Sequence, residues 1–215
     1  MVTIFAETHK EIARNINKEV ARIYDIELDE KRLVWGSVLP DYNPKYKLHR
    51  HYADESLGFI INEIKKLIFL GRFIDIENEI FDGLSNKLFS RKLGIISHYL
   101  SDFVCRPHYE RWTFQEAMIK HLTYEKRLNQ IAEGFEFKIN DIEQIELRTD
   151  ENGKFDINQI VTDFVNRVIE EYSLNPGFEQ DLQFAFNLNL RMSYFVLDTI
   201  KLYNLERNIQ SAFVF

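Results

Sequence analysis

The chain has 215 residues, 45% of them hydrophobic and 14% aromatic, which suits one sizeable core and leaves too little for two comfortable domains. A formal net charge of −7 argues against a broad basic face for nucleic acid, and no apolar run approaches the roughly 18 residues of a membrane span. A single cysteine, Cys105, excludes an intrachain disulfide framework; a cytoplasmic protein is expected, and no signal peptide is read in Met1 to Lys10.

Only eight Gly and four Pro interrupt the sequence, so the expected class is all-α, with one helical domain over residues 1–215. Ile12, Ala13, Ile16, Val20 and Ile23 recur at helical spacing and predict a first helix over His9 to Tyr24. Between Val34 and Arg50 the periodicity dissolves among Gly36, Pro40, Asn43 and Pro44, which predicts a loop over Trp35 to Tyr42 lying against the core. A second helix is expected over Asp54 to Leu70. A third runs from Ser85 to about Cys105, with Leu88, Ile95, Ile96, Tyr99 and Phe103 inward and Pro107 closing it. A fourth is expected from about His108 past Glu125. The stretch from Gly134 to Gly153 is charged and irregular, with a surface turn at Asp150-Glu151-Asn152-Gly153. Asp156 and Gln159 form an N-cap pattern opening a fifth helix that stops near Asn175-Pro176-Gly177. A last helix covers about Glu179 to Tyr203. The aromatic C-terminal segment, with Phe184, Phe186, Phe195, Phe213 and Phe215, reads as core or dimer surface.

The six histidines are His9, His49, His51, His98, His108 and His121. His98 and Asp102 stand four apart on one helix, so an imidazole nitrogen and a carboxylate oxygen project from one face. A hairpin of helices brings His108 and Glu125 to the same end. His9 lies on the apolar stripe of the first helix, and Asp41 follows Pro40. Taken singly, each has a plain structural reading: a core histidine, a helical hydrogen bond, a turn residue. Together they imply more, because carboxylates buried among aromatic residues need partners, and a divalent cation supplies them. Nitrogen and oxygen donors without a cysteine pair fit a catalytic or mixed zinc site. His121, four before Glu125, fits an auxiliary ligand or a plain structural role, the latter favoured. Ser101 and Cys105 lack a base and an orienting group, which speaks against a covalent nucleophile.

Thr8-His9, Trp35-Gly36-Ser37-Val38-Leu39-Pro40-Asp41, His51-Tyr52-Ala53-Asp54 and His98-Tyr99-Leu100-Ser101-Asp102 with His108 resemble the zinc-dependent phospholipase C family, whose architecture single-strand-specific zinc nucleases share. The resemblance covers about residues 5–125, the metal-binding part; the helices from about 156 to 215 complete the domain. It implies an all-α fold and two or three zinc ions that hydrolyse phosphoester bonds. Asp41, His51, His98 and Asp102 are then expected around one zinc, with Asp102 bridging to a second that His9 also binds, and His108 and Glu125 on a third. Asp41 is also expected to orient or deprotonate the attacking water, and Tyr42 to contact substrate. His49 competes with His51, which is favoured because an aromatic residue and Asp54 follow it. Secreted members carry an N-terminal tryptophan as a zinc ligand where this chain reads Met1-Val2, so the metal on His9 is expected to be weak, absent or differently completed. With His51 as the ligand, Leu48 stands where choline-preferring members place an aromatic residue, while Tyr42 after Asp41 does match them, so the resemblance gives no support for a choline preference.

The expected activity is phosphodiester hydrolysis by a hydroxide bridging the zinc ions, on a lipid or small-molecule phosphoester and with no stable nucleic-acid partner. Its rivals are a nuclease or nucleotide phosphoesterase on the same scaffold and a non-catalytic, metal-stabilised helical binding module.

Overall fold

The computed structural model describes residues 6–46, 48–73, 83–112, 114–139, 145–146 and 155–212. Eight helices occur among them: α1 (Glu7–Tyr24), α2 (Glu30–Tyr42), α3 (Ala53–Gly71), α4 (Leu84–Phe103), α5 (Arg106–Tyr109), α6 (Phe114–Ala132), α7 (Ile157–Ser173) and α8 (Phe178–Ala212). No strand is present among the described residues, and none of the described helices is long and apolar enough to cross a membrane. The all-α expectation is met.

Helix α4 is the axis of the fold. From Leu93 to Phe103 every residue is buried, the mark of a helix enclosed on all sides. Helices α1, α2, α3 and α8 pack around it. Their apolar faces, among them Ile12, Ile16, Leu33, Ile64, Phe89, Tyr99 and Leu197, merge into one hydrophobic cluster. Ile95, Ile96, Tyr99 and Phe103 are buried as expected, whereas Leu88 is only partly buried and its neighbour Phe89 takes the core position.

The expected loop at Trp35 to Tyr42 is instead the C-terminal part of helix α2. The side chain of Asp29 caps the helix by accepting from the Arg32 backbone N–H at 2.9 Å. Tertiary packing overrides the apparent breakers. A Cβ at Gly36 would overlap the Arg91 carbonyl of α4, and one at Gly94 would overlap the Leu33 carbonyl and the Ser37 backbone nitrogen. The two glycines let the helices touch backbone to backbone. Pro40 falls in the last turn of α2, where its missing N–H forfeits one helical bond and the chain leaves the helix soon afterwards.

The expected fourth helix from His108 is also two pieces. Helix α4 ends at Phe103, and Pro107 does not close it; it sits near the start of the short α5, where a proline lacks no needed donor. Helix α6 follows, kinked at Ala117. Asp156 caps α7 by accepting from the Gln159 N–H at 3.1 Å, as its spacing predicts, and α8 runs past Tyr203 to Ala212. The expected turn at Asp150 to Gly153 lies outside the described residues, as do Phe213 and Phe215. Phe186 and Phe195 are buried in the core, and Phe184 packs against it.

Candidate metal centre

Five other segments converge at one end of α4. Helix α1 supplies His9, α2 supplies Asp41, the segment before α3 supplies His51, and α4 supplies His98 and Asp102. Short α5 returns His108, and α6 supplies His121 and Glu125. Their donor atoms form four groups, each lying within 4.8 Å: His9, His98 and Asp102; Asp41, His51 and His98; His51, Asp102 and His108; His108, His121 and Glu125.

Asp102, 3% exposed, is the hub. Oδ2 stands 2.8 Å from His51 Nδ1 and 3.3 Å from His98 Nε2, while Oδ1 stands 3.4 Å from His9 Nε2 and 3.7 Å from His108 Nε2. Asp41 Oδ1 lies 3.5 Å from His98 Nε2 and 4.0 Å from His51 Nδ1. At the far end Glu125 Oε1 is 2.7 Å from His121 Nε2 and 3.4 Å from His108 Nε2.

Hydrogen bonding fixes the tautomer of His98. Its Nδ1 lies 2.9 Å from the Ser37 carbonyl oxygen, an atom that can only accept, so Nδ1 carries the proton. Burial, with further help from nearby His51 and His108, lowers its pKa to about 4, so the ring is neutral near pH 7 and Nε2 is a bare lone pair facing the cluster. The carbonyl of Trp112 holds His121 the same way, 3.3 Å from Nδ1, and turns its Nε2 toward Glu125. Burial and the adjacent His98 bring His9 down to about 4 as well. His9 Nδ1 is itself buried without a hydrogen-bond partner, an orphan of the kind a ligand satisfies.

The carboxylates divide. Burial opposes ionisation of Asp102, yet the surrounding His108, His98 and His9 outweigh it and hold its pKa well below the usual value. Glu125 is also driven up by burial but pulled down further by its bonds with His108 and His121, to about 2. Asp41 goes the other way: burial dominates and raises it.

A cavity of about 780 Å³ opens onto the cluster. Its inner wall is apolar, with Ile12, Leu122, Leu128 and Ala185, and Tyr42, Tyr52 and Trp112 also line it. Tyr42 is 42% exposed and stacks with Trp35, their rings 6.5 Å apart. Leu48 is 86% exposed. His49 is in none of the donor groups; its ring stacks on Phe59 at 3.8 Å, and His51 takes the cluster position.

His9, Asp41, His51, His98, Asp102, His108 and Glu125 are thus brought together as the sequence pattern requires. His121 joins them, although a structural role was the favoured reading; its spacing four before Glu125 was the available signal. Asp181 and Asn129 had no such signal. Asp181 is a buried residue of the cavity lining and accepts from Tyr172 Oη at 2.6 Å, Tyr124 Oη at 2.9 Å and the Arg106 N–H at 3.1 Å. Asn129 Oδ1 accepts from the Thr8 N–H and Oγ1, at 2.8 and 2.7 Å, and so fixes α1 against α6 next to His9.

The geometry defines an all-α protein whose imidazole and carboxylate donors are grouped closely enough to hold a divalent metal, and zinc fits that donor set. The family model for zinc-dependent phospholipase C matches residues 8–175, and the chain belongs to that family. No curated protein and no solved structure matches it.

Proposed function

We propose that the protein is a zinc-dependent phosphodiester hydrolase, phospholipase C-like in its chemistry, that works in the cavity above the cluster. The observation that carries this reading is the convergence of imidazoles and carboxylates from distant segments on a cavity large enough for a substrate. Asp41, His51, His98 and Asp102 would hold one zinc, and His108, His121 and Glu125 a second. His9 with Asp102 would hold a third. Bound zinc supplies a lowered pKa for water and neutralisation of charge on the phosphoryl oxygens.

The chain's own residues set up the rest. Asp41 is the only carboxylate of the cluster whose pKa is raised, and it is the most open of them to the cavity. It therefore orients the attacking water and accepts its proton, which a more basic carboxylate does better. The apolar wall of Ile12, Leu122, Leu128 and Ala185 excludes bulk water from the far side of the phosphorus and contacts the organic part of the substrate. Tyr42 contacts the substrate at the mouth. The leaving alkoxide is protonated from solvent there.

Hydrolysis of bis(p-nitrophenyl) phosphate by the zinc-loaded protein tests the reading. Turnover should vanish with EDTA and return with Zn²⁺. Asp41→Asn should lower it by about 10²–10⁴-fold while the variant keeps most of its zinc. Full activity in that variant would remove Asp41 from the proposed role, and no metal-dependent turnover on a broad phosphoester panel would favour a metal-stabilised binding module. The Trp35–Tyr42 stack beside the mouth is the one feature that favours a nucleotide diester instead. A rate on the p-nitrophenyl ester of thymidine 5′-monophosphate far above that on short-chain phospholipids would select that reading.

A further inference from the structure

The cavity's charge inventory says which diesters it accepts. A quaternary ammonium group is recognised by open aromatic faces or by a free carboxylate. Of the lining aromatic residues, Tyr42 stacks on Trp35 and keeps its other face toward the mouth, whereas Tyr52 and Trp112, deeper along the wall, each already carry a side-chain cation, and no lining carboxylate is free. The guanidinium of Arg111 lies over the Tyr52 ring, 4.6 Å from its centre, and the ammonium of Lys120 lies over Trp112 at 3.5 Å. Arg111 holds its place through ion pairs to Asp54 and Glu55 and adopts a φ of 52°, a backbone conformation that non-glycine residues rarely take. Among the lining carboxylates, Asp41, Asp102 and Glu125 belong to the cluster and Asp181 already accepts from Tyr172, Tyr124 and Arg106.

One lining residue offers a cation to a ligand. Arg50 is the only Lys or Arg among the described residues that line the cavity, and it precedes His51 directly. Its side chain is 69% exposed, and its one ion pair among the described residues is a loose 3.7 Å contact with Glu55, which Arg111 approaches more closely at 3.1 Å. The guanidinium is therefore free to reach a ligand seated on the cluster, where its fork of donors suits hydroxyl and anionic oxygens.

We propose that Arg50 is a specificity-determining residue and that the cavity takes phosphodiesters whose head group is an uncharged polyol, against those carrying a fixed positive charge. The proposal rests on reading the cavity as a phosphodiester site and deepens it by naming the substrate class. Arg50 donates to the head-group oxygens, and together with the Arg111 and Lys120 cations it repels a quaternary ammonium.

Calorimetric titration of the zinc-loaded protein with a matched pair of ligands tests this. The pair is the phosphinate analogues of glycerophosphoglycerol and glycerophosphocholine, in which methylene groups replace both bridging oxygens so that neither is cleaved. The glycerol analogue should bind about tenfold more tightly or better, and Arg50→Gln should bring the two within about threefold with an unchanged melting temperature and zinc content. Equal binding, tighter binding of the choline analogue, binding of neither, or a preference that survives in Arg50→Gln overturns the proposal. Turnover of bis(p-nitrophenyl) phosphate is read separately: a glycerol preference without turnover sinks the hydrolase reading and leaves the selectivity standing.

Discussion

His98 and Asp102, one turn apart on α4, present Nε2 and Oδ2 3.3 Å from each other, and all but one of the donor groups include one of them. The cluster is therefore organised on a single rigid helix, with the other donors brought to it. Replacing Asp102 by Asn should release more zinc than replacing Glu125 by Gln, which touches only the His108–His121 end. The affinity loss at Asp102 should exceed the about 10–100-fold typical of residues that only support a ligand. Zinc content per chain after dialysis against a buffered metal solution measures both, and equal losses would contradict the hub role.

Metal-free protein should lose stability as the pH falls below 6.5. His9 and His98 have folded pKa values of about 4 against 6.5 in the unfolded chain, so the unfolded state binds their protons first as pH falls. Stability is present above pH 6.5 and drains between 6.5 and 4. His51 and His121, held above their ordinary value, act in the opposite sense, but only above pH 6.5. Between pH 6.5 and 5 each depressed histidine removes up to about 2 kcal/mol. The urea midpoint of EDTA-stripped protein should fall steeply over that interval, and a flat profile would contradict the buried, neutral state of these rings.

Gly94 should not tolerate a methyl group. Its Cβ would strike the backbone of α2 at Leu33, Gly36 and Ser37, with no flexible side chain to give way. Gly94→Ala should cost about 1–3 kcal/mol and shift α2, which carries the Ser37 carbonyl and Asp41. Chemical denaturation together with zinc titration would show both effects; loss of stability with unaltered zinc affinity would mean that α2 adjusts without moving the cluster.

Asp181 should matter for stability and little for metal. It ties α5, α6, α7 and α8 together through Arg106, Tyr124 and Tyr172. Removing one partner leaves a buried carboxylate short of a donor, so Tyr172→Phe should cost about 1–3 kcal/mol with zinc stoichiometry intact. Thermal melting and metal analysis on the same sample separate the two.

What the sequence discloses follows from how local each signal is. His98 and Asp102 are legible because their four-residue spacing alone places them on adjacent turns of one helix, whereas His108, beyond the end of α4, is legible only through the family pattern. His121 and Glu125 carry the same four-residue signal, yet a lone pair of that kind is as often structural, and only the return of His108 from α5 distinguishes the cases. The helix at Trp35 to Tyr42 was hidden because Gly36 and Pro40 are breakers in isolation. Gly36 serves a contact with Arg91 of another helix, which no local pattern records. Asn129 is the extreme: its bond to Thr8 spans 121 residues, and nothing near it announces the role.

This end of α4 should bind closely spaced zinc ions, and anomalous diffraction at the zinc edge from crystals of the zinc-loaded protein would locate them. Two or three strong peaks a few ångströms apart, bounded by His9, Asp41, His51, His98, Asp102, His108, His121 and Glu125, are expected. The absence of any peak among these residues would mean that the cluster is not a zinc centre.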